Sequence, residues 1–363
     1  MENTQTLIST KVVIFCGGKG SRMWPISNVG HPKQFDAILG EFSFFRQTIN
    51  RVLKGFNASD VFISTGRDFE EVIKKQAPEI PQDNLIFEPQ MRDNLGAVGL
   101  AAETIQKRFP DSVMILLWGA DHMVKNEELF LRSLKKAAEL SYKNKVMVHV
   151  DMKPEYPSIH HGWIKTGKKI GNEDGFDIVE FLKQEEKPDL TRARQFFSSG
   201  EYLIHSGYMA CRPNLLLSFY RQFSPDNYRI LEKIAAAMGS DDYQQVLQQE
   251  YPKIEKTSVD LGIFVKLSPG TQWELPVDIG WVDLGTWELL YHGLPKDENA
   301  NAIVGNVEIV DTKNSLIFAK EGKIAGAIGL ENMIIVDTSQ GLLVCPMEKA
   351  SKVKELYKLI YEK

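Results

Sequence analysis

A chain of 363 residues exceeds one average domain and fits one large α/β domain with a smaller companion. Its 43% hydrophobic and 25% charged residues are ordinary for a globular protein, and a formal net charge of -5 excludes a global field that gathers nucleic acid or an anionic membrane. Cys16, Cys211 and Cys345 lie far apart with no CxxC pair, which excludes a cysteine zinc site or disulfide framework and suits a reducing compartment.

The polar start, Met1 to Lys11, lacks the apolar core of a signal peptide, and no apolar run approaches the roughly 18 residues that span a bilayer. A cytoplasmic protein without membrane partners is expected. Lys11–Cys16 (KVVIFC) then reads as a buried strand running into the Gly17-Gly18 turn. Similar runs at Asp60–Ser64, Ser112–Trp118 and Lys145–Val150 alternate with helical spacing at Glu70–Gln76, Leu95–Arg108 and Glu127–Leu140. The alternation predicts an α/β fold, a doubly wound, Rossmann-like nucleotide-binding sheet covered on both faces. Ligands of such sheets sit beyond the carboxyl ends of the strands, where the glycine turn falls.

The middle is more mixed, with turn-rich pieces at Pro154–Gly167, Lys187–Asp189 and Ser224–Asn227 and a predicted helix pair at Leu215–Phe223 and Asn227–Tyr251. Polar Gly293–Ala300 (GLPKDENA) predicts a boundary, dividing a domain of residues 1–295 from a tail of residues 296–363. In that tail Val307–Ala319 (VEIVDTKNSLIFA) resembles Met333–Cys345 (MIIVDTSQGLLVC), which suggests a small β-helical stack. Two copies are fewer than a free-standing stack needs, so the tail is expected to pack on the main domain or on a second subunit as a homodimer. A terminal amphipathic helix is predicted at Lys349–Tyr361.

The strongest local signal is Gly17-Gly18-Lys19-Gly20-Ser21-Arg22, followed by Met23-Trp24-Pro25 and by Pro32-Lys33-Gln34-Phe35. Glycine lets backbone N–H groups approach a phosphate closely, and Arg22 and Lys33 supply the charge a triphosphate requires. The loop is no Walker A motif, lacking a closing Gly-Lys-Ser/Thr. Met23 stands where a dinucleotide fingerprint has its third glycine, and Asp68 and Glu70 are poor candidates for its acidic residue, which disfavours a Rossmann dehydrogenase. A lone GxG reads as a plain strand-to-helix turn; the flanking Arg, Trp-Pro and Pro-Lys-Gln favour a phosphate loop.

These residues resemble the sugar-phosphate nucleotidyltransferases and, within them, the mannose-1-phosphate guanylyltransferases, whose loop reads Gly-Gly-x-Gly-Thr-Arg-Leu-Trp-Pro-Leu-Ser with a later Pro-Lys-Gln-Phe. The resemblance continues in order through Glu88-Pro89 with Arg92-Asp93-Asn94, Ala120-Asp121-His122, Glu186-Lys187-Pro188, Ser206-Gly207, Ser258-Val259-Asp260 and Gly280–Trp287. It covers nearly the whole chain, and the family's small β-helical C-terminal domain fits the tail. The resemblance implies Mg²⁺-dependent transfer of a guanylyl group from GTP to α-D-mannose 1-phosphate, giving GDP-mannose and pyrophosphate, without the isomerase domain fused in longer relatives.

By the same resemblance, Arg22, Lys33 and Lys187 are the catalytic residues, Arg22 and Lys33 on the triphosphate and Lys187 on the sugar phosphate. Asp121 and Asp283 would hold the metal, an oxygen-preferring hard cation. Gly17, Gly18, Gly20, Ser21, Glu88, Arg92 and Asn94 would bind the nucleotide, and Gly162, Glu186, His205, Ser206 and Gly207 the sugar. Plainer readings stand beside these: Asp121 as the cap of the following helix, and Glu186-Lys187 as a solvated turn.

Departures gather on the sugar side. The family's Glu-Thr-Gly-Tyr-Gly-Tyr is Ser158-Ile159-His160-His161-Gly162-Trp163 here, and its Trp-Asn-Ser-Gly is Ile204-His205-Ser206-Gly207. Adjacent histidines on an extended segment point to opposite faces, which disfavours joint metal ligation by His160 and His161. An altered sugar pocket is expected instead, with another sugar 1-phosphate or nucleotide, or a silent regulatory subunit, as the rival readings.

Overall fold

The structure, a computed structural model, describes residues 8–18, 20–27, 32–319, 322 and 324–362; Lys19 of the glycine loop and most of the polar start lie outside these. The chain forms two compact units. The first comprises the chain up to Gly17 with Asn50–Gly119 and Lys125–Trp281; the second comprises Gly18–Ile49, Ala120–Val124 and Val282–Lys363.

In chain order the strands begin with β1 (Thr10–Phe15), β2 (Val61–Gly66), β3 (Leu85–Glu88), β4 (Val113–Trp118), β5 (His122–Met123) and β6 (Met147–Met152). There follow β7 (Gly162–Glu173), β8 (Phe176–Glu186), β9 (Tyr202–Ile204), β10 (Tyr208–Cys211), β11 (Gln272–Val277) and β12 (Val282–Asp283). The tail adds β13 (Ala302–Gly305), β14 (Val307–Val310), β15 (Leu316–Ala319), β16 (Ala325–Ile328), β17 (Met333–Thr338) and β18 (Gly341–Pro346).

The first unit is built on one sheet in the order β11-β8-β7-β9-β6-β10-β4-β1-β2-β3. The strands β4, β1, β2 and β3 run parallel, whereas β10 is antiparallel to both β4 and β6. A mixed α/β sheet of the expected kind is the result. Val12–Phe15 are all buried, as a strand covered on both faces requires. The predicted helices occur as Glu70–Gln76, Asp93–Arg108 and Glu127–Asn144.

Two features of the middle differ from the sequence reading. The stretch after the turn-rich Pro154 segment becomes the long β7–β8 hairpin, closed at Asp174-Gly175 with φ of 51° and 85°. Both turn residues lie in the left-handed region, as the Asp-Gly pair of a tight hairpin favours. The second predicted helix is two, Pro225–Ala237 and Tyr243–Glu250, broken where Gly239 takes φ 90°.

In the second unit the tail forms a short parallel coil. Ala302, Leu316 and Ile334 stack in register across β13, β15 and β17, and Val307 pairs with Ala325 across β14 and β16. The corner before each rung has positive φ, at Ala300, Asn314 and Asn332. Polar side chains bind successive corners: Ser315 N donates to Asn301 Oδ1, and Met333 N to Ser315 Oγ. The coil closes with antiparallel β18, and a helix at Val353–Tyr361 buries Val353 and Tyr357. The two copies of the Val-Asp-Thr repeat are not equivalent rungs, because β14 pairs with β16 and β17 with β15.

Candidate active-site residues

The glycine loop of the second unit is tightly turned. Gly18 and Gly20 have φ of 96° and 65°, and Gly20 starts a single 3₁₀ turn, Ser21–Met23. A Cβ on Gly20 would lie 2.5 Å from Ser27 Oγ, so a side chain there would have to displace that hydroxyl and adopt a left-handed backbone. Ser27 Oγ in turn accepts from Lys33 N at 3.1 Å, and Gln34 Nε2 donates to Gly18 O at 3.3 Å. Arg22 is exposed. Trp24 and Met23 are buried beneath the loop.

Lys33 is buried, and its ammonium lies 2.5 Å from Asp121 Oδ2 and 2.6 Å from Leu284 O. Asp121 does not cap the following helix: Asn126 does, its side chain accepting from Leu129 N. Strands β5 and β12 pair antiparallel with His122 opposite Asp283, so Asp121, the residue just before β5, is one position along the chain from the partner of Asp283. A Cβ on Gly285 would come within 3.0 Å of Asp283 Oδ1, so the glycine leaves room for that carboxylate. Two carboxylates, one already holding a cationic group, fit a hard, oxygen-ligated divalent ion.

In the first unit the predicted nucleotide residues cluster at the end of β3. Glu88 is 8% exposed and accepts from Tyr251 Oη at 2.6 Å. Burial pushes its carboxyl up to about 7, against the opposing hydrogen bond from Tyr251. Asn94 Oδ1 accepts from Val259 N at 2.7 Å, which joins two of the sequence blocks. Arg92 precedes the helix Asp93–Arg108, with its Nε buried and unbonded.

The predicted sugar residues also converge. Gly162 pairs with Glu186 across β7 and β8, and His205 N donates to Gly162 O at 2.9 Å. A Cβ on Gly162 would lie 2.6 Å from Glu186 Oε2 and 3.3 Å from His205 Cβ. Lys187 sits at φ 48° with an exposed side chain, and its Nζ donates to Glu186 Oε1 at 2.6 Å. Ser206 faces inward, N donating to Asp151 Oδ1 and Oγ to Val150 O. His160 is half-buried whereas His161 is buried against Ser158 Oγ at 2.8 Å, the opposite placement expected of neighbours on an extended segment.

His205 is buried with Nδ1 3.2 Å from Asp151 Oδ2 and Nε2 3.7 Å from Asp260 Oδ1. Burial works against its charge, but Asp151, and then Asp260 and Glu186, raise it to about 9. Sequence reading did not single out His149, Asp151, Gln184 or Tyr251. The signal for two of them was available: His149 and Asp151 are polar residues at alternate positions of an otherwise apolar strand, and buried polar groups demand partners.

The fold and the glycine loop define a nucleotidyltransferase. The Nucleotidyl transferase family description matches residues 11–300, and that of the MannoseP isomerase/GMP-like beta-helix domain matches residues 305–359. Mannose-1-phosphate guanylyltransferase 2 of Escherichia coli O157:H7 is 30% identical over 355 residues, covering 96% of this chain and 73% of the relative. The Salmonella typhimurium mannose-1-phosphate guanylyltransferase RfbM is 30% identical over 348 residues, with 95% and 71% covered. The chain belongs to the mannose-1-phosphate guanylyltransferase family. In fold it is similar to a Thermus thermophilus crystal structure described as a mannose-1-phosphate geranyltransferase, with TM-score 0.85, 24% identity and 97% and 99% of the two chains covered. Among the described residues no helix is long and apolar enough to cross a membrane.

Proposed function

We propose that the chain transfers a guanylyl group from GTP to α-D-mannose 1-phosphate, giving GDP-mannose and pyrophosphate. A phosphate oxygen of the sugar attacks the α-phosphorus, a P–O bond forms, and the bond to pyrophosphate breaks. The phosphate dianion is already a nucleophile, so the enzyme must supply alignment and charge cancellation rather than a base. Amides of the glycine loop and Arg22 take the triphosphate, and Lys187 takes the sugar phosphate. Lys33, held by Asp121, orders that carboxylate and the loop between β12 and Trp287. Asp121 and Asp283 would hold Mg²⁺, which supplies neutralisation of phosphate charge when bound.

The observation that carries this reading is the pairing of β5 with β12, which sets Asp283 opposite His122, next in sequence to Asp121 and its buried partner Lys33. Relatives that are 30% identical and named mannose-1-phosphate guanylyltransferase support it. Asp283→Asn is expected to lower kcat by about 100-fold or more while leaving the fold intact, because it removes a preorganised electrostatic contact. Pyrophosphate release with GTP and mannose 1-phosphate, with and without Mg²⁺, measures this; full activity of the variant would overturn the metal assignment.

A second reading, the same chemistry with a different sugar 1-phosphate, is favoured by one observation. The predicted sugar residues Gly162 and Glu186 adjoin a buried His205–Asp151 ion pair rather than an amide. A panel of hexose and heptose 1-phosphates with GTP distinguishes the two by kcat/KM. Self-association through the tail is also proposed, because Val310, Ile328, Leu342 and Val344 of the coil are all more than half exposed. Light scattering of the purified chain tests it; a monomer at micromolar concentration would refute it.

A further inference from the structure

Strand β6 places His149 and Asp151 on one face of the sheet, two residues apart. Parallel β11 sets Glu274 in register beside His149, and so on the same face. His205, the first residue after β9, completes the group. All four are buried: His149, Asp151 and Glu274 are 0% exposed and His205 7%. Among the described residues this is the one group where two histidines and a carboxylate offer ligand atoms all within 4.8 Å of one another.

The hydrogen bonds leave His149 Nδ1 unpartnered and turn His205 Nδ1 to Asp151. His149 Nε2 lies 2.6 Å from Gln272 Oε1, which only accepts, so the ring donates there and keeps its lone pair on Nδ1. His149 Nδ1 has no hydrogen-bond partner. His205 directs Nδ1 at Asp151 and turns Nε2 toward Asp260. His149 thus has an oxygen bonded to the nitrogen away from the cluster, the outer contact that orients metal-binding histidines, while Asp260 lies beyond hydrogen-bond reach of the outer nitrogen of His205. Both carboxylate oxygens of Glu274 are buried without a donor, and the group faces Asp151.

We propose that His149 Nδ1, Asp151 and His205 Nδ1, with Glu274 as fourth ligand, form a buried site for a divalent transition ion of the zinc type. Tetrahedral zinc with bonds of about 2.0 Å has ligand-to-ligand edges of roughly 3.3 Å. The 3.2 Å between His205 Nδ1 and Asp151 Oδ2 already matches such an edge. Two imidazoles with carboxylates suit zinc, whereas magnesium prefers an all-oxygen shell. The ion would discharge a group of buried carboxylates and fix the His205 ring beside Gly162. Without it the same cavity must hold protons: burial, then Asp151, pushes Glu274 well up, and His205 stays charged.

The test uses the full, untagged chain, since burial means that loading accompanies folding. Chains expressed or refolded with Zn²⁺ and then dialysed are expected to retain about one zinc each by elemental analysis. Refolding with Co²⁺ should give the intense visible absorption of a tetrahedral site. His149→Gln should abolish both, and the isosteric Glu274→Gln should weaken zinc retention by about tenfold or more in chelator competition. Circular dichroism and GTP affinity verify that the variants fold; if His149→Gln does not fold, Glu274→Gln decides. Zinc-free chains with unchanged melting and no cobalt band, or zinc held equally by folded variants, would overturn the site and leave a purely protonic network. Neither outcome depends on which sugar the enzyme takes.

Discussion

Burial raises the Glu88 carboxyl to about 7, near its midpoint at neutral pH, against the opposing hydrogen bond from Tyr251. A carboxyl raised to about 7 binds a proton in the folded chain that the unfolded chain, near 4.5, has already lost. Its ionisation therefore costs stability above pH 7, and the cost fades as pH falls toward 4.5. Glu88→Gln keeps the acceptor for Tyr251 and removes the charge. The variant should exceed the parent in stability at pH 8 to 9 by up to about 3 kcal/mol, at roughly 1.36 kcal/mol for each tenfold change in proton affinity, with the gap closing below pH 5. Urea unfolding of both proteins from pH 5 to 9 checks this, and parallel curves would refute it. Glu103, also raised to about 7, titrates in both proteins and cancels in the comparison. The Glu88-Pro89 block was visible in the sequence, but its chemical state was not. Tyr251 is 163 positions away, and only folding brings its hydroxyl to the carboxylate.

Among the elements, β18 has a specific duty toward the glycine loop. A Cβ on Gly341 would come within 2.9 Å of the Trp24 ring, so that strand begins where the indole needs room. Trp24 O accepts from Trp287 Nε1 at 2.9 Å, fixing the residue from a second side. Gly341→Val is expected to destabilise the second unit by about 1–3 kcal/mol through overpacking and to raise the KM for GTP. Differential melting and initial rates measure this; unchanged values for both would remove β18 from the positioning of the loop. The strands β1, β2, β4 and β6 were legible to within about two residues because they are continuous apolar runs between turn signals. The β7–β8 hairpin was not, since Lys165–Glu173 is largely polar and half-exposed, with bulges that break the alternation. The coil was legible as a class but not in register. Its rungs repeat through corner residues such as Asn314 and Asn332, whereas the eye-catching Val-Asp-Thr pair falls on strands with different neighbours.

For the whole molecule the second unit draws on three separated stretches of chain. Its apolar core joins Met23, Trp24 and Phe44 to Leu284, Trp287, Leu316, Ile334 and Tyr357. A chain ending at residue 295, the boundary suggested by composition, is expected to lose nucleotide binding, because Met23 and Trp24 lose the apolar partners beneath them. Isothermal titration of that fragment with GTP provides the check; affinity equal to the full chain would show that the loop is independent of the tail. The tight turn of the glycine loop was readable from sequence because glycine conformation is local. The His149–Asp151–His205 group was readable only in part: His149 and Asp151 alternate along β6, but only the pairing of β6 with β9 brings His205 to them. The three-part second unit also sets a timetable for synthesis. About 330 residues separate Arg22 from Val353, the start of the helix that packs on the Ser21–Met23 turn. At roughly 5–20 residues per second, the ribosome finishes that helix some tens of seconds after the glycine loop has emerged. The Ser21–Met23 turn is thus made well before the helix that packs on it, and it stays without that support while the intervening residues are translated.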